Sequence, residues 1–450
     1  MTDQSYVPPG VADLGEQVPA PRPVRPAPRT SDSTGGARPS ERKRGLLATL
    51  DKPLLIISSM LLALGMIMVY STTFDWSLQV WGSQTYIFNQ HLRNLGVGAL
   101  ALALAALIDY RIWRRLAVWL LLVTVGALIA VLLFGDDTFG ARRALINGSL
   151  QPGEMAQLAI VIYMAAWMGS KGARIQSVTY VLLPFIMLVG LIGGLILLQP
   201  DLSTAVIIVI SCGLMFILAG ASIFQLGVLT ILGSLGGVAV WAIASQRLIY
   251  AQDRVTSFLA GLTDLTQANY HTQQAVIAFR QGGLFGVGLG ASSQKFGSLP
   301  VAHTDSIFAI IGEELGLVGA TVVIVLYLAF VFRGFQIARR ADQPFGMLLA
   351  AGITVWIFTQ ATINIAVMTA LVPSTGVPLP FISFGGSSLV VVMIGVGLLL
   401  SVQRVTVIRQ HAPEWRTHSA SYDRGWRNRR ARIPRPGRRR SDDRPAREGA

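Results

Sequence analysis

Ten runs of mainly apolar residues, each near the length that crosses a bilayer, organise this chain of 450 residues. They fall near 54–72, 94–109, 116–134, 153–169, 178–198, 203–220, 225–244, 305–332, 346–370 and 387–403. About 20 such residues span the hydrocarbon as a helix. Only 13% of the residues are charged, about half the roughly 25% of a soluble domain. Too little charge remains to cover a water-facing surface, which excludes a purely soluble enzyme. The single cysteine, Cys212, lies in an apolar run, so neither a disulfide framework nor a Cys-based metal site is expected. The expected fold is an all-α polytopic membrane protein with ten transmembrane helices.

Charge divides the chain into three parts. Residues 1–50 are rich in Pro, Gly, Ser and Arg and show no apolar periodicity, which predicts a disordered tail. Residues 51–403 form the membrane body, and 404–450 a second disordered tail with 14 basic and 5 acidic side chains. Ten spans put both termini on one side. Counting Lys and Arg assigns 30 to that side and 7 to the other, so both termini are expected in the cytoplasm. The basic tail suits an anionic membrane surface or a cytoplasmic partner, and no nucleic acid is implied.

The seven cations on the other side are Arg93, Arg142, Arg143, Arg247, Arg254, Arg280 and Lys295. Singly, each reads as a snorkelling or ion-paired side chain. As a set on a face where insertion bias disfavours them, they point to an anionic ligand. The same face receives the only long connection between spans, a large extracytoplasmic loop at 245–304 between helices 7 and 8. It holds a helix-like stretch, Tyr270 to Gln281, and a glycine run, Gly282 to Gly290. A second loop there, Leu371 to Gly386, is apolar and broken by Pro373, Pro378 and Pro380. Such backbone is tolerable beside a bilayer only when packed on protein or lining a cavity.

Ionisable groups at membrane depth each want an explanation. Glu154, Asp201 and Asp305 lie near the outer ends of spans. Glu154 and Asp201 fit helix N-termini. Asp305 fits either a helix N-terminus or a general base at the membrane boundary, with His303 beside it. Glu313 and Glu314 are expected about 12 Å deeper on the same helix, as hydrogen-bond partners of other helices. Gln360 and Asn364, four apart, read as interhelical contacts. Two matches are set aside: Gly286-x-Gly288-x-x-Ala291 has no strand before it, and Ser292-x-x-Lys295 lacks its companion motifs.

Taken together, several segments resemble the SEDS family (shape, elongation, division and sporulation proteins). They are Gln199-Pro200-Asp201-Leu202, Tyr270-x-x-x-Gln274, Gly282-Gly283, Gly286-x-Gly288-x-Gly290 and Gln294-Lys295. Leu299 to Asp305, Ile310 to Gly316 and Pro378 to Ser388 complete the set. The resemblance covers roughly 51–403, and Gln294 to Gly316 is closer to the cell-division, FtsW-like branch than to the elongation, RodA-like branch. It implies a peptidoglycan glycosyltransferase that polymerises lipid II at the outer surface of the cytoplasmic membrane, at the division septum. Its implied partners are a class B penicillin-binding protein transpeptidase and other division proteins. The family's essential aspartate falls on Asp305, and its Gly-Ala-x-Arg motif on Gly140-Ala141-Arg142-Arg143. The chain departs from the pattern at Gly153, Gln157, Val301 and Ser306, where the family carries Ser, Lys, Glu and Phe.

The reaction implied is attack of a sugar 4-hydroxyl on an anomeric carbon carrying diphosphate. One inversion needs one base, and the leaving diphosphate needs charge stabilisation rather than a proton. Asp305 is then the expected base, with Arg142, Arg143, Arg247 and Arg254 holding the diphosphate. Glu154, Asp201, His303, Lys295 and Ser387 are the expected supporting residues. A divalent cation (Mg2+ or Mn2+) sharing the diphosphate charge is compatible, though no spacing demands it. The competing readings are a lipid II flippase or other transporter, a non-catalytic scaffold whose outer loops bind a partner, and an elongation-type polymerase.

Overall fold

The structure is a computed structural model that describes residues 49–138, 141–144, 151–247, 249–296 and 303–410. The tails expected at 1–50 and 404–450 lie outside the described residues, apart from 49–50 and 404–410. Residues 404–410 extend the last helix, so Arg404 and Arg409 sit on it rather than in a tail.

Helices make up nearly all of the described chain. They are α1 (Lys52–Trp81), α2 (Tyr86–Leu107), α3 (Tyr110–Phe134), α4 (Pro152–Met168), α5 (Leu183–Leu197), α6 (Leu202–Leu218) and α7 (Ile223–Arg247). There follow α8 (Ile249–Gly261), α9 (Tyr270–Gly282), α10 (Ile307–Glu314), α11 (Gly316–Arg340), α12 (Pro344–Met368) and α13 (Ser387–Gln410). Two short strands, β1 (Asp136–Thr138) and β2 (Ala141–Ala144), pair antiparallel between α3 and α4. Six helical segments are long and apolar enough to cross a membrane, and Leu202–Leu218 and Ile223–Val238 are shorter apolar helices.

Local sequence sets the helix ends. Asp51 caps α1 by accepting from Leu54 N at 2.9 Å, and Pro53 occupies the first turn, where no N–H is missed. Asp109 and Asp201 cap α3 and α6 in the same way. Gly82, at φ +68°, ends α1. The 18-residue core of α12 is 78% buried, against 28% for α3, so α12 is the post around which the others pack. Small residues allow close approach: a Cβ on Gly397 of α13 would lie 2.5 Å from Leu102 O of α2.

Contacts also fix which ends coincide. Arg333 near the end of α11 bonds Asp51 through Nη2 (2.8 Å) and Nε (2.9 Å). Tyr110 at the start of α3 stacks on Phe345 at the start of α12. Arg404 of α13 donates to Leu107 O at the end of α2, at 2.6 Å. The described chain therefore begins and finishes at one end of the bundle.

The expected span at 305–332 is two helices, not one. The helix stops at Glu314, and α11 restarts at Gly316, whose φ is +68°. A break leaves backbone groups without helical partners, and the glycine run supplies them. Val287 N and Gly288 N donate to the carbonyls of Glu313 and Glu314, at 3.0 and 3.1 Å. Leu317 N and Val318 N donate to the carbonyls of Gly283 and Leu284, at 3.0 and 3.2 Å. Glycine is required for this approach: a Cβ on Gly286 (φ +80°) would lie 2.2 Å from Glu314 O. Gly288 (φ +106°) has open space around it. Gly286→Ala is therefore expected to cost about 1–3 kcal/mol more stability than Gly288→Ala, measured as thermal unfolding in detergent.

Candidate active site

Asp305 sits half-buried just ahead of α10, on a segment held by its backbone rather than by helix formation. Phe384 N donates to His303 O at 2.9 Å, and Ser383 Oγ to Thr304 O at 2.6 Å. Asn364 Nδ2 of α12 donates to both Asp305 O (2.8 Å) and Val377 O (2.6 Å). One amide thus ties the aspartate's own peptide to the 371–386 loop. The carboxylate lies against Gly376, where a Cβ would come within 3.0 Å of Oδ2.

The 371–386 loop is folded into the bundle, as its apolar composition requires. Val377, Leu379, Phe381 and Ile382 are buried. Gln360 Nε2 donates to Pro378 O at 3.1 Å, and Tyr327 Oη to Pro380 O. Phe381 adopts φ +69°, a strained value for a bulky residue, against Gly65 of α1. Gln360 and Asn364 therefore bind loop carbonyls, not the helix partners expected of them.

Two imidazoles flank the aspartate. His303 stacks on Trp76 of α1 (centroids 4.7 Å apart) and meets the edge of Phe384. Burial pushes its pKa down to about 4, so it is neutral at neutral pH. His271 Nε2 bonds Ser306 Oγ at 2.6 Å, linking α9 to the residue after Asp305. Burial lowers the pKa of His271, and the nearby Arg254 guanidinium of α8 lowers it further. Arg254, His271 and Ser306 thus form a file ending beside Asp305. Of these, sequence reasoning named Arg254 and noted Ser306 only as a departure. A histidine on a polar helix gave no signal by itself.

Glu154 and Asp201 come together at the starts of α4 and α6. Ser387 Oγ at the start of α13 donates to Glu154 Oε2 at 2.5 Å. Asp201 takes Thr204 N (3.2 Å) and Thr204 Oγ1 (2.7 Å), and a Cβ on Gly153 would lie 3.8 Å from Asp201 Oδ2. The 371–386 loop runs from the Asp305 clamp to this acidic pair. Gln157, where a lysine was expected from the resemblance, accepts from Trp356 Nε1 at 2.5 Å inside the bundle.

Lys295 is placed elsewhere, in a buried ion pair with Glu314 at 3.1 Å. It also donates to Gly290 O (2.6 Å) and Ser71 Oγ (3.3 Å), while Ser71 Oγ donates to Glu314 at 2.7 Å. Glu313 accepts from Ser292 Oγ at 2.5 Å and Ser293 N at 2.8 Å. Glu314 therefore does bond another helix, α1, whereas Glu313 bonds the loop. Arg142 lies on β2 opposite Asp137, Arg143 beside it, and Arg247 ends α7; the side chains of these three lie outside the described residues. Among the described residues no group of three or more His, Cys, Asp or Glu side chains could hold a metal ion.

Comparison with known proteins gives consistent likenesses. Residues 52–407 match the model of the FtsW/RodA/SpoVE family, described as cell cycle protein. The chain is 36% identical over 358 residues to stage V sporulation protein E of Bacillus subtilis, covering 79% of this chain and 97% of that protein. It is also 36% identical over 369 residues to the probable peptidoglycan glycosyltransferase FtsW of Coxiella burnetii, covering 80% and 98%. Among solved structures, the rod shape determining protein RodA of Thermus thermophilus superposes with TM-score 0.57 at 25% identity, over 79% of this chain and 97% of that one. A chain of a peptidoglycan synthase complex superposes with TM-score 0.65 at 24% identity, over 79% and 98%, a likeness of fold.

The lowered pKa of His303 has a signed consequence. An unfolded histidine titrates near 6.5 and this one near 4. Between those values the unfolded state binds more protons, so stability falls as pH is lowered through that window. His303→Gln is expected to flatten the fall in melting temperature between pH 7 and pH 5, measured by thermal unfolding.

Proposed function

This chain belongs to the FtsW/RodA/SpoVE family of cell cycle proteins, and from that premise we propose that it is a peptidoglycan glycosyltransferase. It polymerises lipid II into β-1,4-linked glycan strands during septal wall synthesis. The observation that carries the reading is the anchored backbone of Asp305: it is held through its own peptide by Asn364 and through its neighbours by Ser383 and Phe384. Such preorganisation is what a general base needs.

In this reading Asp305 takes the proton of the acceptor's 4-hydroxyl as its oxygen attacks the anomeric carbon of the donor. The bond to the diphosphate breaks, and undecaprenyl diphosphate leaves as an anion. Arg254, with Arg142, Arg143 and Arg247, balances the charge that builds on it. His303, neutral, keeps the base's surroundings free of a competing cation. Glu154, Asp201 and Ser387 order the starts of α4, α6 and α13, while Lys295 supports the site through the Glu314 pair. Glu154 and Asp201 are the two carboxylates that would hold a Mg2+ or Mn2+ together with the substrate's diphosphate, where it would share the charge of the leaving group.

The reading places ten helices across the cytoplasmic membrane: α1 to α7, with α5 extended by the helical turn Val178–Leu182 that precedes it, and α11 to α13. The region of α8, α9 and α10 is then the extracytoplasmic loop between spans 7 and 8, and both termini are cytoplasmic at the septum. A class B penicillin-binding protein transpeptidase that cross-links the strands is the expected partner, alongside other division proteins.

Glycan formation from purified lipid II by the chain co-purified with its transpeptidase tests the proposal. Wild type is expected to polymerise, and Asp305→Asn to lose about 10²–10⁴-fold in rate, the usual worth of a general base, while melting as wild type does. Arg254→Gln is expected to weaken turnover with a smaller loss. Transfer of lipid II across vesicles with no polymerisation would instead make the chain a transporter.

A further inference from the structure

The membrane body accounts for the length of α1 only in part. At 1.5 Å per residue its 30 residues reach about 45 Å, and about 42 Å along the normal at a tilt of 20°. The hydrocarbon is about 30 Å thick. Counted from the Asp51–Arg333 pair, α1 leaves it near residue 72, so the last turns stand about 13 Å beyond.

Those turns carry an aromatic cluster. Trp76 and Trp81 meet edge to face with centroids 5.3 Å apart, and Trp81 stacks on Tyr86 at 5.2 Å and 16°. The α1–α2 turn that brings Trp81 to Tyr86 is pinned by Ser77, whose Oγ donates to Ser83 O at 2.6 Å. Yet the three rings remain 43%, 44% and 46% exposed. The cluster is continuous with the site, because Trp76 also stacks on His303, two residues from Asp305.

What lies around the rings tells the classes of ligand apart. From Phe74 to Gln90 the segment itself carries no Lys or Arg; the cations beside it are Lys295, which lies over Phe74 and is neutralised by Glu314, and Arg93, one turn beyond Asn89. Asp75, Gln79, Gln84, Asn89 and Gln90 supply carboxylate and amide groups, with Gln79 Nε2 held on Asp75 Oδ2 at 2.7 Å. Flat, rigid rings interleaved with amides are the chemistry of sugar binding. A β-1,4-linked pyranose presents polarised axial C–H groups to the electron-rich ring face and equatorial hydroxyls to the amides.

We propose that Trp76, Trp81 and Tyr86 form a glycan-binding platform that receives the growing strand next to Asp305. This rests on the polymerase reading for the identity of its ligand. A polymer held on rings beside the reacting centre stays engaged between additions, so the platform sets strand length.

The test uses the full chain with its transpeptidase. In the Asp305→Asn background, binding of soluble uncrosslinked glycan strands is measured by calorimetry with and without Trp81→Ala/Tyr86→Ala. The platform predicts about tenfold or greater loss of affinity, and retention with Trp81→Phe/Tyr86→Phe, which keeps the rings. With Asp305 intact, the alanine pair is expected to shorten strands at least threefold and the phenylalanine pair to restore them. Unchanged binding and strand length overturn the platform while leaving the polymerase reading untouched. Strand binding by a wild type that makes no glycan does the reverse. Loss of the transpeptidase during purification with strand binding retained makes the face a protein-docking surface and overturns the proposal.

Discussion

Once buried away from water, every backbone N–H and C=O must find a partner within the protein, and this structure depends on how it meets that demand where helices stop. At Leu315 the chain breaks, and the glycine run from Gly282 lies close enough to serve the exposed groups on both sides. At 371–386 the backbone is irregular, and Gln360, Asn364, Tyr327 and Ser383 serve it from the helices and the loop itself. Asp305 lies between these two repairs. The backbone that carries Asp305, the proposed base, is therefore held by the same bonds that let non-helical chain exist there.

Charge inside the bundle is handled by the same logic. Lys295 and Glu314 neutralise each other and share Ser71, and Asp51 takes two bonds from Arg333. Removing one member of such a pair strands the other, which costs several times what the intact pair contributes. At Gln157 the bundle uses a neutral amide bonded to Trp356. No counter-ion is then needed, which is how the chain tolerates losing the lysine expected from its resemblance.

Much of this could be read from the sequence. The helix expected at Tyr270–Gln281 runs from Tyr270 to Gly282, and the acids at 154 and 201 begin helices as their neighbours suggest. Where reading stopped, a physical reason stands behind it. Hydropathy ends α1 at the membrane's thickness, but nothing in Phe74 to Trp81 breaks a helix, so it continues to Gly82. The break at Leu315 is marked locally only by Glu313-Glu314 before it and Gly316 after it, too short an interruption to end a long apolar run by length and hydropathy. Its cause, the glycine run, lies about thirty residues upstream. The His271–Ser306 bond and the clamp from Asn364 join residues 35 and 59 apart, and no local pattern records them.

The long-range bonds also bear on how the protein is made. Ser71 bonds Glu314, 243 residues downstream, and Asp51 bonds Arg333, 282 downstream. Gln157 and Glu154 bond Trp356 and Ser387, 199 and 233 residues later. At a synthesis rate of about 5–20 residues per second, these early polar groups wait roughly 10–60 s for their partners to emerge. During that interval the first helices must be sheltered by the insertion machinery or remain near its aqueous path. The bundle therefore closes late, when the final helix arrives, and a ribosome that stalls before it leaves an assembly with unmatched polar groups for quality control to recognise.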